Sequence, residues 1–117
     1  MVTNAYVPEA GDIVWLQFEP QASHEQAGHE QAGHRPALVL SPARYNAARG
    51  MMVCCPMTSR IKSYVFEVIV SQTPPSAVLA DQLKSLDWRA RGAVQKGTVA
   101  PQVLAEVRGK IKALLAL

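Results

Sequence analysis

The chain has 117 residues, of which 49% are hydrophobic and 18% charged, a balance that excludes wholesale disorder. No apolar run approaches the roughly 20 residues of a membrane span, and the N-terminal residues lack the basic and apolar segments of a signal peptide. The formal net charge of +3 permits an anionic partner such as nucleic acid without requiring one. We therefore expect a single cytoplasmic domain spanning residues 1–117, with no membrane association.

Four β-strands are predicted in the first two-thirds of the chain. Each is short, rich in β-forming residues and bounded by residues typical of turns. They cover Gly11–Phe18, His34–Ser41, Met51–Thr58 and Val65–Val70. The segments between the first three strands, Glu19–Gly33 and Pro42–Gly50, are predicted to be loops because they contain proline, glycine and small polar residues.

The fourth strand alternates in polarity. Glu67 is turned away from the face that carries its apolar side chains, Phe66, Val68 and Val70. The segment Ser71–Ser76 contains two adjacent prolines and predicts a turn. After it, Ala77–Trp88 predicts one or two further strands, with a helix as the alternative.

The C-terminal segment, Pro101–Leu117, predicts a helix. Proline suits the first turn of a helix, and six apolar residues recur at helical spacing and form one face: Val103, Leu104, Val107, Ile111, Leu114 and Leu115. Several short strands followed by a closing helix indicate an α+β fold, a small half-open β-barrel with appended helices.

The cysteines and histidines of the sequence predict neither a disulfide nor a metal site. Cys54 and Cys55 are adjacent, so a disulfide between them would be strained, and they are predicted to be small apolar strand residues kept reduced. The pentapeptide HEQAG occurs twice, at His24–Gly28 and His29–Gly33, which predicts a tandem duplication that lengthened a surface loop. His24, His29 and His34 lack the spacing of zinc ligands.

The hairpin between the second and third strands gives a geometric argument for a site. Strands this close in sequence pair antiparallel by default, and equal lengths on the two sides of the connecting loop pair Val39 with Cys54 and Arg35 with Thr58. A one-residue bulge would shift this register. The duplicated loop enters at the same end, so His34 and Glu30 join the neighbourhood.

These residue types suit phosphoryl chemistry on RNA. A guanidinium holds phosphate oxygens and offsets the charge that grows on phosphorus, and a hydroxyl can donate to the same phosphate. RNA carries its own nucleophile in the 2′-OH. From these residues alone, simpler readings stay open: Arg35 as a strand-end charge, Thr58 as a β-former, and Glu25 and Glu30 as solvated loop charges.

Motifs along nearly the whole chain then point to one family. They are, in order, Tyr6–Pro8 with Gly11-Asp12, Glu30–Ser41, Tyr45-Asn46, Pro56–Thr58, Phe66–Val68, Leu79–Ser85, Trp88–Gly92 and Gly97–Pro101. With these motifs in this order, the sequence strongly resembles the MazF toxins, also known as PemK- or Kid-like toxins.

This resemblance implies an SH3-like barrel with appended helices, which acts as a homodimer without a cofactor. It implies a sequence-specific endoribonuclease, or mRNA interferase, that cleaves single-stranded RNA by attack of the 2′-OH. The products would be 2′,3′-cyclic phosphate and 5′-OH ends. It also implies a MazE-like antitoxin whose disordered acidic tail occupies the RNA groove.

The resemblance also assigns roles to residues. Arg35, Thr58 and Glu30 match catalytic positions, and the predicted substrate-binding residues are Phe18, His34, Asn46, Asp81, Gln82 and Lys84. Arg35 would stabilise the phosphate and transfer a proton to the leaving 5′-oxygen. Because an arginine is a poor base, the acceptor of the 2′-OH proton stays open among Glu30, Glu25 and His34. The Kid branch has an arginine where this chain has Leu79, which shifts the chemistry further onto Arg35.

Two functions of other classes stay open at this point. One is a non-enzymatic gyrase poison of the CcdB class, a class that resembles this fold and uses a tryptophan near its C-terminal end. This chain ends in the apolar Ala113–Leu117 without a tryptophan. The other is an SH3-like module that binds RNA and leaves it uncut.

Overall fold

The computed structural model describes residues 5–18 and 33–117. In chain order, the elements in these ranges are β1 (Asp12–Gln17), β2 (His34–Val39), α1 (Ala43–Arg49), β3 (Met51–Thr58), β4 (Glu67–Gln72), β5 (Pro75–Leu79), β6 (Lys84–Asp87), β7 (Val94–Thr98) and α2 (Pro101–Leu115). The strands that pair do so antiparallel. No helix within the described ranges is long and apolar enough to cross a bilayer.

Strand β3 joins the two halves of the sheet. The strand order is β4-β5-β3-β2-β1-β7, with β6 also paired to β3. The first half of β3, Met51–Cys54, pairs with β6, whereas its end, Met57–Thr58, pairs with β5. The sheet therefore curls into an antiparallel half-barrel, and the predicted α+β class with a C-terminal helix is confirmed.

Apolar side chains fill both faces of this curled sheet. One cluster of buried residues contains Val14, Leu16, Phe18, Ala37, Val39, Met52, Cys54, Leu86 and Trp88. The other contains Leu38, Cys55, Met57, Val68, Val78, Ala80 and Val107. Because successive strand residues point to opposite faces, neighbours such as Cys54 and Cys55 divide between the clusters. Both cysteines are free and buried, as core strand residues should be.

Helix α2 covers the second cluster. Its apolar residues pack there as far as Ile111, so the predicted apolar face is confirmed over most of its length. The helix ends at Leu115 rather than Leu117, and Leu114 and Leu115 remain 42% and 50% exposed.

The structure differs from the sequence-based prediction in several places, among them the bounds of the fourth strand, which is Glu67–Gln72. The segment Pro42–Gly50 contains helix α1, which ends at Gly50 in a left-handed conformation (φ 68°), the usual way for glycine to terminate a helix. Strand β5 begins inside the predicted turn at Ser71–Ser76. Strand β7 was not predicted, because its sequence, VQKGT, has too few apolar residues to show a strand pattern.

Candidate active site

The predicted register of the β2–β3 hairpin is correct. Val39 pairs with Cys54, and the ladder continues to Ala37 with Pro56. The ladder ends there, while on the other edge of β3 Thr58 pairs with Ala77 of β5. The predicted backbone pairing of Arg35 with Thr58 is replaced by a side-chain contact, in which Arg35 Nη2 donates a 3.0 Å hydrogen bond to the carbonyl oxygen of Met57.

Arg35, Thr58 and Lys84 share one face of the sheet. Arg35 pairs with Leu16 of the first cluster, and Lys84 pairs with Cys54 of that cluster. Thr58 lies on the same face, since strand side chains alternate and Thr58 is an even number of residues beyond Cys54. The structure therefore places a guanidinium, a hydroxyl and an ammonium at one end of the first cluster.

The side chain of Arg35 packs on the ring of Phe18. The guanidinium carbon lies 5.7 Å from the centre of the Phe18 ring, and Phe18 is only 5% exposed. Its backbone is held by Gly33, whose carbonyl accepts the Phe18 N–H at 2.8 Å, and by Arg91, which donates to the Phe18 carbonyl. Phe18 is thus a core residue against which Arg35 packs, and its predicted contact with substrate stays a prediction.

The Thr58 hydroxyl is oriented by its own loop. Its Oγ1 accepts a 3.0 Å hydrogen bond from the backbone N–H of Arg60. A hydroxyl has one donor hydrogen besides its acceptor lone pairs, so this bond leaves the hydrogen to be donated. The half-buried Thr58 can thus present an O–H to a ligand on the Arg35 face.

Glu67 anchors the loop that follows Thr58, a role that the sequence analysis missed. Its side chain is 8% exposed, and its carboxylate accepts hydrogen bonds from the backbone N–H groups of Lys62 and Ser63. Ser63 has a positive φ of 62°, which a non-glycine residue rarely adopts. The signal was a single acidic residue within an otherwise apolar strand.

Three of the predicted substrate-binding residues are exposed: Asp81, Gln82 and Lys84. Asp81 accepts a 2.6 Å hydrogen bond from the Tyr64 hydroxyl, which raises the pKa of Tyr64 to about 12. This bond ties the loop after Thr58 to the turn after β5. The Gln82 backbone N–H donates to the Leu79 carbonyl within that turn.

His34 is separated from Arg35 by the sheet itself. It pairs with Gln17, and its ring stacks on Trp15 with 6.0 Å between ring centres. Adjacent residues of a strand point to opposite faces, so the prediction of His34 beside Arg35 is wrong. The imidazole is directed away from the Arg35 face and is poorly placed to accept a 2′-OH proton there.

Asn46 has a structural role, and its predicted contact with substrate stays a prediction. Its side chain is fully buried. Its Nδ2 donates to the carbonyls of Pro8 and Ser41, and its Oδ1 accepts a hydrogen bond from the Ser41 hydroxyl. Its backbone carbonyl accepts the indole N–H of Trp88. Every polar atom is therefore committed to holding α1 against the core.

Glu30 and Glu25, the predicted carboxylates of the duplicated loop, lie outside the described residues. Within residues 5–18 and 33–117, no three His, Cys, Asp or Glu side chains are grouped as metal ligands. Two cationic side chains, Lys84 and Arg91, lie close enough to Cys54 of the first cluster to affect its thiol electrostatically. The arrangement suits an anionic substrate.

Comparisons with known proteins agree with this geometry. Residues 9–115 match the family described as PemK-like, MazF-like toxins of type II toxin–antitoxin systems. Endoribonuclease toxin MazF of Escherichia coli (strain K12) is 50% identical over 115 residues, which cover 97% of this chain and 99% of the relative.

Solved structures give the same result. The crystal structure of MazF (Form-I) from Deinococcus radiodurans has a TM-score of 0.82 at 54% identity, covering 97% of this chain and all of the other. The MazE–MazF (Form-II) structure from the same organism has a TM-score of 0.82 at 48% identity, covering 97% and 99% of the two chains.

Proposed function

This chain belongs to the family of PemK-like, MazF-like toxins of type II toxin–antitoxin systems. We propose that it is an endoribonuclease that cleaves single-stranded mRNA, and that Arg35 and Thr58 form its catalytic site. The relatives that it matches at 50% identity over nearly its full length are endoribonucleases. The single observation that supports the site is the contact between Arg35 and the Met57 carbonyl, which holds the guanidinium one residue away from Thr58.

The reaction needs positioning and charge stabilisation more than a protein nucleophile. The 2′-oxygen attacks the adjacent phosphorus, a new P–O bond forms, and the bond from phosphorus to the 5′-oxygen breaks. The products are a 2′,3′-cyclic phosphate and a 5′-OH end. No metal is required for this exchange, because the guanidinium supplies the positive charge at the phosphate.

Each side chain has a distinct part in this proposal. Arg35 holds the phosphate oxygens and transfers a proton to the leaving 5′-oxygen, while the Thr58 O–H donates to the same phosphate. Glu30 accepts the proton of the 2′-OH, with Glu25 of the other HEQAG copy as the alternative. The geometry weighs against His34 in that role, since its ring stacks on Trp15 on the other face. Asp81, Gln82 and Lys84 bind the neighbouring nucleotides.

The partners follow from the same charges. Solved relatives include MazE–MazF complexes, and we infer that a MazE-like antitoxin with an acidic tail covers the cationic Arg35 face. A second copy completes the active form, as the resemblance implies for this family. We place the protein in the cytoplasm because its proposed substrate is mRNA, and we take residues 1–117 as one domain.

The experiment that tests this proposal is cleavage of mRNA by the purified chain in the presence of EDTA. Mapping the 5′ ends of the products should give one short motif with 5′-OH ends, and the Arg35→Ala variant should fold but leave the RNA intact. RNA that is bound and left uncut would favour an RNA-binding module. A growth defect that depends on gyrase, with RNA intact, would favour a gyrase poison.

A further inference from the structure

Three side chains form a row on the face of the sheet opposite Arg35. The Trp15 ring lies between His34 of β2, at 6.0 Å between ring centres and 25° between planes, and Lys96 of β7, whose Nζ lies 5.3 Å from the Trp15 ring centre. Trp15 and His34 are half-buried and Lys96 is exposed. The mechanism proposed above leaves Trp15 and Lys96 without a role.

The position of Lys96 results from a β-bulge. Ile13 pairs with Gly97, but the next residue of β1, Val14, pairs with Gln95, so Lys96 is the extra residue of β7. Strand β7 ends the described sheet next to β1. A bulge at a sheet edge changes the direction of its side chains, and here it places the Lys96 ammonium over the Trp15 indole.

An aromatic ring flanked by a second ring and a cation is typical of sites for single-stranded nucleic acid. An unpaired base stacks on an aromatic side chain whatever its identity, while a cation follows the phosphates. A duplex hides its bases and cannot use such a ring. We propose that Trp15, His34 and Lys96 form a second RNA subsite, which stacks an unpaired base of the substrate outside the cleaved step.

In the absence of RNA, the Lys96 ammonium occupies the face of the Trp15 ring on which a base would stack. A cation–π contact at an exposed site is weaker than the stacking of a base on an aromatic ring, so an arriving base displaces the ammonium from the indole. The flexible lysine chain then turns to the adjacent phosphate. This subsite rests on the proposed function, and it predicts an RNA path that continues over the β7 edge after it leaves Arg35.

The test uses an oligonucleotide of about 12 residues, the upper range for a site of this kind, with mixed sequence and every 2′-oxygen methylated. Blocking the nucleophile prevents cleavage, so binding is measured independently of catalysis. Trp88 is 6% exposed and serves as an internal reference, so quenching of the intrinsic fluorescence reports on Trp15. Three variants are compared: Trp15→Leu, Lys96→Gln and, as a charge-matched control on α2, Lys112→Gln.

We expect fluorescence quenching in the unmodified chain and its loss in Trp15→Leu, with affinity about tenfold lower. Lys96→Gln should lower the slope of log K against log salt concentration by about 0.7, the value for one phosphate contact on a single strand, whereas Lys112→Gln should not. Should Trp15→Leu fail to fold, the exposed Lys96→Gln variant still decides the matter.

Two results would overturn the subsite. One is affinity and quenching in Trp15→Leu and Lys96→Gln equal to those of Lys112→Gln. The other is a change in molar mass by light scattering in those variants, which would mean that a second copy of the chain covers the row. If the unmodified chain does not cleave RNA, the proposed function is refuted instead. The binding assay distinguishes this outcome from a failure of the subsite, because it does not depend on cleavage.

Discussion

The guanidinium of Arg35 donates a 3.0 Å hydrogen bond to the backbone carbonyl of Met57, the residue that precedes Thr58. This contact joins β2 to β3 beyond Ala37 and Pro56, the last pair of their ladder. Since the carbonyl belongs to the backbone, it fixes the guanidinium relative to the Thr58 hydroxyl. The spacing of the two proposed catalytic groups therefore depends on this contact.

Arg35→Lys should keep the charge and lose most of the activity. A lysine ammonium is a point charge, and it cannot bond both Met57 and a phosphate with the planar geometry of a guanidinium. We expect kcat/KM to fall about 100-fold, within the usual range for loss of a transition-state donor, with Tm little changed. Arg44→Lys, an exposed change on α1, is the matched control, and equal activity in the two variants would contradict the assignment.

The hydroxyl of Thr58 should affect the cleavage rate more than the shape of the Thr58 side chain does. Thr58→Val removes the O–H donor at nearly constant volume and should lower kcat about 100-fold, whereas Thr58→Ser keeps the donor and should stay within about tenfold of the unmodified chain. Single-turnover cleavage of a defined RNA oligonucleotide measures both. Equal rates for the two variants would show that Thr58 is only a β-strand residue.

Glu67→Gln should loosen the loop between Thr58 and Glu67. The amide carries one acceptor oxygen and no charge, so the bonds from the Lys62 and Ser63 N–H groups weaken. We expect a loss of about 1–3 kcal/mol in the free energy of unfolding and faster hydrogen exchange at these amides. Glu106→Gln, an exposed change on α2, is the control. Exchange rates unchanged in Glu67→Gln would rule out the anchoring role.

Asn46→Ala should destabilise the protein without a direct effect on the chemistry. The variant leaves the carbonyls of Pro8 and Ser41 without the donor they have now, and unsatisfied buried groups of this kind cost about 1–3 kcal/mol each. Urea unfolding measures the loss, with the exposed Arg49→Ala on the same helix for comparison. A fully stable variant that no longer binds RNA would place Asn46 in the substrate groove.

Stability should decline in alkaline solution because of the two buried thiols. Burial raises the pKa of Cys54 and of Cys55 to about 12, whereas in the unfolded chain a thiol ionises near pH 8.5. Above that pH the unfolded state binds fewer protons than the folded state, so the free energy of unfolding falls by up to about 1.4 kcal/mol per pH unit for each thiol.

Urea unfolding between pH 8.5 and about 9.5, below the range where tyrosines ionise, isolates this effect. The stabilisation is complete below the unfolded pKa and is lost as the pH rises toward the folded one. The double variant Cys54→Ala/Cys55→Ala should show a flatter dependence, whatever its absolute stability. The same slope in both proteins would show that other groups cause the decline.

The residues whose surroundings differ from the sequence-based expectation do so for different physical reasons. Asn46 lies in a segment whose composition predicts a loop, and only long-range contacts with Pro8 and Trp88 bury it. His34 and Arg35 are neighbours in the chain, yet strand alternation sends them to opposite faces. Phe18 is likewise assigned to the core by its packing beneath Arg35.

Local pattern by itself determined the β2–β3 register, the α+β class, the apolar face of α2 and the family. These features depend on strand alternation, helical spacing and residues near one another in the chain, so they can be read without distant contacts. Only the tertiary structure decided that the β2–β3 ladder ends at Pro56 and that Arg35 reaches the Met57 carbonyl beyond it. Where this ladder ends, and which side chains meet beyond it, depend on the curl of the whole sheet, in which β5 and β6 pair with the opposite edge of β3, and no local pattern records it.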